Sequence, residues 1–90
     1  MANNPLTIAL RPRVRVALSV AARAGRRAIS LEVIRAGIEA LGFPLSSPEE
    51  ITALREAMEW NQSRGLVDYS YNAELEIDEW FLTERGRTHE

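Results

Sequence analysis

The hydrophobic repeat of this chain changes at Gly65, and that change sets the order of its elements. Upstream, apolar residues recur every three or four positions; downstream they alternate with polar ones. The first pattern buries one stripe of a helix, the second one face of a strand. Helices therefore come first and a hairpin follows.

Three upstream segments read as helices. From Pro12 to Ala24, Val14, Ala17, Leu18 and Ala21 fall at i, i+3, i+4 and i+7, with Pro12 at a first helical position and Gly25 at the stop. The alternation Arg13-Val14-Arg15-Val16 also suits a strand, but the Ala-rich end of the segment favours helix. Ser30 opens the second helix, whose stripe is Leu31, Ile34, Ile38 and Leu41 and which stops at Gly42 before Phe43-Pro44. Gly37 inside it marks either a close helix crossing or a weak spot. The third has the clearest start, because Ser47-Pro48-Glu49-Glu50 is a capping box with proline in the first turn. Ile51, Leu54 and Met58 share its apolar face, and Arg64-Gly65 closes it.

After Gly65, Val67, Tyr69 and Tyr71 alternate with Asp68 and Ser70; Asn72-Ala73 reads as the turn, and Leu75 and Ile77 alternate on the return. Residues 78–85 suit either a strand or a helical turn, and Trp80-Phe81-Leu82 must pack back onto the helices. The fold expected is mainly α with a small β-hairpin.

Ninety residues make one domain, 1–90, with a modest core. At 46% hydrophobic and 27% charged the chain is too apolar to be disordered. The absence of cysteine removes disulfides, thiolate metal sites and thiol catalysis. No apolar run approaches the roughly 20 residues that span a bilayer, and the start, MANNPLTIAL, has no basic flank. A cytoplasmic protein without membrane contact is expected.

The net charge of −2 conceals a strong asymmetry. Residues 1–48 carry seven arginines against Glu32 and Glu39, a balance of +5, whereas residues 49–90 carry four arginines against eleven acids, a balance of −7. That distribution implies a basic and an acidic face, or a self-complementary one. All eleven basic residues are arginine, which suits phosphate and carboxylate forks but also follows from GC-rich coding.

The order helix, helix, capped helix, Gly65-Leu66-Val67, hairpin and Leu82-Thr83-Glu84-Arg85-Gly86 resembles the winged helix-turn-helix superfamily of prokaryotic regulators. Spacing, length and Trp60 shortly before Gly65 also resemble small winged-helix proteins encoded by Mu-like prophages. The resemblance covers about residues 11–87 and departs at Asn61, where the family position is usually apolar. It implies a three-helix winged helix-turn-helix that binds double-stranded DNA as a transcriptional regulator, with its third helix in the major groove. The exposed face of that helix would offer Thr52, Arg55 and Gln62, Arg55 pairing with guanine and Gln62 with adenine, and Asn72 would lie near the wing tip.

Charge opposes that use of the third helix. Glu49, Glu50, Glu56 and Glu59 outnumber Arg55 and Arg64, and the hairpin adds Asp68, Glu74, Glu76, Asp78 and Glu79. The cations lie elsewhere: Arg11, Arg13 and Arg15 precede or open the first helix, and Arg23, Arg26 and Arg27 cluster near its end. Arg13, Arg26 and Arg27, with Ser30 at a helix N-terminus, are therefore candidate phosphate contacts. The alternative is a solvated arginine face paired with acids of the second half.

Trp60 lies roughly 180° around its helix from Ile51, flanked by Ala53 and Ala57. Those three residues form a candidate contact for a homodimer or another protein, unless the hairpin or Leu6-Thr7-Ile8 covers the tryptophan. Protein–protein assembly without DNA is thus the alternative function. Tyr69 and Tyr71 suit base stacking or simple packing. His89, the sole histidine, lies next to the end of the sequence, and neither Glu49/Glu50 nor Asp78/Glu79 defines a facing acid–base pair. With no phosphate loop, nucleophile–base set or ligand cluster, an enzyme, a cofactor and a small-molecule substrate are not expected.

Overall fold

A computed structural model describes residues 4–88. The chain forms α1 (Pro5–Arg23), β1 (Ile29–Ser30), α2 (Leu31–Ala40), α3 (Pro48–Ser63), β2 (Val67–Asn72), β3 (Ile77–Leu82) and α4 (Glu84–Thr88). It is mostly helical with a small three-stranded antiparallel sheet, compatible with a helix-rich fold carrying a wing.

The first helix begins at Pro5, well before the expected Pro12. Asn4 caps it, its side chain accepting from Leu6 N at 2.9 Å, and Pro5 takes the first turn. Pro12 thus lies inside the helix, where its missing N–H costs one backbone bond on the exposed side that solvent can serve. Arg11, Arg13 and Arg15 consequently project from mid-helix rather than opening it.

Both other long helices start where expected. Ser30 Oγ accepts from Val33 N at 3.3 Å. At α3, Ser47 Oγ accepts from Glu50 N at 3.1 Å while Glu50 Oε1 accepts from Ser47 N and Ser46 N, each at 2.9 Å. These bonds to the carboxylate hold the Glu50 pKa below the usual glutamate value. Such a contribution is present above the unfolded-state pKa and lost as pH falls through the lower folded one. Ser47→Ala removes the N-cap acceptor for Glu50 N and should cost about 1 kcal/mol in urea unfolding. Glu50→Gln should flatten the acid limb of the stability–pH curve, as urea titrations across the carboxylate range would show.

The core joins Leu10, Val14, Ala17 and Leu18 of α1 to Ile34 and Ile38 of α2, and to Ala53, Leu54, Ala57 and Met58 of α3. Leu45, Ile29 and Val67 close it. At Gly37 an added Cβ would meet Ala17 Cβ at 3.6 Å, an ordinary contact, so the α1–α2 crossing does not demand glycine.

In the sheet β3 lies between β1 and β2, pairing Ile29 and Tyr69 with Trp80, and Val67 with Leu82. The turn occupies residues 73–76, longer than the Asn72-Ala73 expectation. Asn72 Oδ1 accepts from Glu74 N and Leu75 N, and Glu76 turns the chain with φ of 56°. Leu75 therefore stands exposed in the turn instead of on the returning strand.

Residues 78–85 divide into both expected forms: strand to Leu82, then α4 from Glu84. Thr83 makes the corner, its Oγ1 donating to Gly65 O at 2.6 Å and accepting from Gly86 N at 3.0 Å. Gly65-Leu66 and Thr83–Gly86, far apart in sequence, are thus fastened together.

Candidate nucleic-acid interface

The face of α3 turned away from the core meets the hairpin across an open groove of about 500 Å³. Ser30, Arg55 and Gln62, three of the expected contacts, line it together. Beside them stand Glu32, Glu59 and Asp78, so carboxylates outnumber the single guanidinium. Met58, Tyr69 and Trp80 make the groove partly apolar, the two rings lying 4.8 Å apart between centroids. Ser30 is already engaged as a helix cap. Thr52 is exposed on α3 but does not line the groove. Asn72 is committed to the hairpin, its Nδ2 donating to Glu79 Oε1 at 3.1 Å and its Oδ1 holding the turn.

The expected Trp60–Ala53–Ala57 contact does not exist as a free surface. Ala53 and Ala57 are buried in the core, with 1% and 0% exposure, because α3 presents a second inward face. Trp60 is half-buried, with the guanidiniums of Arg11 and Arg64 over its ring at 4.4 and 4.8 Å. Neither the hairpin nor Leu6-Thr7-Ile8 supplies those ring contacts.

Asn61 explains its own departure from an apolar position. Fully buried, it accepts from Arg15 Nη1 at 2.8 Å through Oδ1, and its Nδ2 donates to Arg11 O at 3.1 Å and Ala57 O at 2.8 Å. It ties the last turn of α3 to α1. Burial pushes the pKa of the Arg15 guanidinium below its usual value.

The remaining arginines divide by location. Arg13 lies over Phe43 at 4.6 Å and donates to Ala9 O at 2.7 Å, so it does not join Arg26 and Arg27 in one cluster. Arg26 and Arg27 are exposed. Arg27 lines a pocket with Phe81, Leu82 and Arg87, adjoining a larger one lined by Arg15, Arg23, Val16 and the same Leu82 and Arg87. Among the described residues, four arginines and no carboxylate line this joint surface, and Arg23, Arg27 and Arg87 are exposed.

Among the described residues the basic and acidic halves form no ion pair with each other. Among the described residues one ion pair forms, Arg35 to Glu32 at 3.1 Å within α2. Charge is therefore segregated rather than neutralised. Sequence reading found Arg23 and Arg27 through their clustering but not Arg87, which reaches the surface only because the Thr83 corner returns the chain to α1.

Among the described residues no helix is long and apolar enough to cross a membrane, and no group of acidic, histidine or cysteine side chains could hold a metal ion. His89 lies outside the described residues. Comparison of the chain with protein-family models, curated proteins and solved structures finds no match.

Proposed function

We propose that this chain is a non-enzymatic winged-helix module that binds duplex DNA chiefly through the sugar–phosphate backbone. The single observation that carries this reading is the arginine surface around the end of α1 and α4, lined among the described residues by Arg15, Arg23, Arg27 and Arg87 without a carboxylate. The winged-helix assignment is supported by element order, three helices followed by a hairpin, the arrangement that the resemblance to helix-turn-helix regulators implies.

Base reading by α3 contributes little. Inserting Arg55 and Gln62 into a major groove would carry Glu59, and with it Glu32 and Asp78, toward phosphates. Among the described residues, no carboxylate lines the surface of Arg23, Arg27 and Arg87. Sequence preference is weak in this account, and a regulatory role would act through occupancy rather than through an operator.

The test is fluorescence anisotropy with a mixed-sequence duplex. Three phosphate contacts should lower affinity about 40-fold between roughly 50 and 200 mM salt. Arg23→Gln/Arg27→Gln/Arg87→Gln should abolish that binding, while Arg55→Ala/Gln62→Ala should change affinity less than about threefold. The opposite ranking would return the contact to α3.

A second reading, protein–protein assembly, is favoured by a separate observation: the acidic, aromatic groove between α3 and the hairpin.

A further inference from the structure

Arginine contacts to a duplex leave the groove between α3 and the hairpin uncommitted. Its floor is apolar, with Met58 and Leu31 beside the Tyr69–Trp80 ring pair, and its rim carries Glu32, Glu59 and Asp78. Tyr69 and Ile77 keep 43% and 37% of their surface exposed along it. Such a groove fits an occupant with one apolar stripe and flanking cations.

The matching surface lies on the same molecule. Along α1, Val16, Val20 and Arg23 fall at i, i+4 and i+7 on one outer face, and the two valines are 46% and 53% exposed. Arg27 stands just beyond the helix end, and among the described residues neither arginine has a carboxylate partner. Arginine against aromatic rings is already a recurrent contact in this chain, at Trp60 and at Phe43.

We infer that the groove of one copy receives the outer α1 stripe of a second copy, Val16 and Val20 against its aromatic floor and Arg23 and Arg27 against its carboxylates. Trp80 borders the groove and Phe81 the arginine surface, and successive strand residues point to opposite sides of a sheet. The two complementary surfaces therefore face away from each other. The association is head-to-tail and open-ended, not a closed symmetric dimer. Because Arg23 and Arg27 serve both partners, duplex DNA and a second copy compete.

Sedimentation velocity without DNA tests this. Wild-type protein should show an average mass that rises from about 10 to 300 µM at roughly 50 mM salt and falls back at about 300 mM. Glu32→Gln/Glu59→Gln/Asp78→Asn removes the groove charge, and Val20→Ser/Arg23→Gln removes the stripe; each alone should stay monomeric, with unfolding midpoints confirming both folds. An equimolar mixture should form a one-to-one dimer, because each variant retains the surface the other lacks. The inference is overturned if wild type stays monomeric at low salt, if either variant associates as wild type does, or if the mixture stays monomeric. Each result is independent of DNA binding, since no duplex is present.

Discussion

Gly86→Ala is expected to lower stability by about 2–4 kcal/mol, a midpoint loss of roughly 10 °C or more in thermal unfolding. Backbone conformation is not the reason. A Cβ at Gly86 would fall onto the Leu66 carbonyl oxygen, 2.9 Å from the Leu66 carbonyl carbon and 3.1 Å from Leu82 Cδ2. Leu66 cannot step aside cheaply: its N–H donates to Asn61 O at 2.9 Å, and its carbonyl accepts from Thr83 N at 3.2 Å. The methyl must therefore break the Thr83 corner or push the start of β2 away from the core. Gly37→Ala provides the control, because its Cβ meets only Ala17 at ordinary contact distance. A Gly86→Ala protein that melts with the wild type would show that α4 is not held against Leu66.

Asn61→Leu would make the last turn of α3 more apolar, yet it should destabilise this chain by about 2 kcal/mol. Leucine matches the heavy-atom count but is bulkier, and it leaves the Arg15 guanidinium, whose other bond is to Arg11 O at 3.3 Å, without its 2.8 Å acceptor. Unmade bonds at buried polar groups cost more than the same bonds add when present. Removing the stranded guanidinium should rescue stability. Arg15→Met in the Asn61→Leu background should recover part of the loss, giving a coupling of about 1 kcal/mol in a double-mutant cycle read by urea unfolding. Strict additivity of the two substitutions would mean that the 2.8 Å contact contributes nothing.

How much of this was legible depends on how local each signal is. The capping box at Ser47 and the helix-ending Gly42 and Gly65 are read from a few adjacent residues, and the structure uses them as written. The start of α1 offered two prolines, and the decisive feature was Asn4 ahead of Pro5 rather than the proline itself. Strand β1 has two residues, too few for any alternation to show, and exists because β3 offers it an edge. The Trp60 face differs from expectation for another reason. The spacing of large apolar residues shows one stripe on α3, but a central helix packs on two sides. Leu54 and Met58 lie on one side, while Ala53, Ala57 and Asn61, spaced four apart, share a second buried side from which Asn61 reaches α1.

The charge asymmetry was plain in the sequence, but its arrangement was not. Composition counts charges along the chain, whereas binding depends on which ones share a surface. Arg13 was drawn away onto Phe43 and Arg15 onto Asn61, while Arg87 was brought in by a corner at Thr83. Likewise Arg55 and Gln62 do share a groove, as expected of a reading helix, but Glu32 and Asp78 join them from other elements.

The most direct measurement is the backbone amide spectrum of isotope-labelled protein titrated with a short mixed-sequence duplex at low salt. Contact through the arginine surface predicts the largest shifts in residues 15–27 and 82–88, with little movement across Thr52–Gln62. Shifts concentrated on Thr52, Arg55 and Gln62 would contradict that placement, and a spectrum unchanged by the duplex would contradict DNA binding itself.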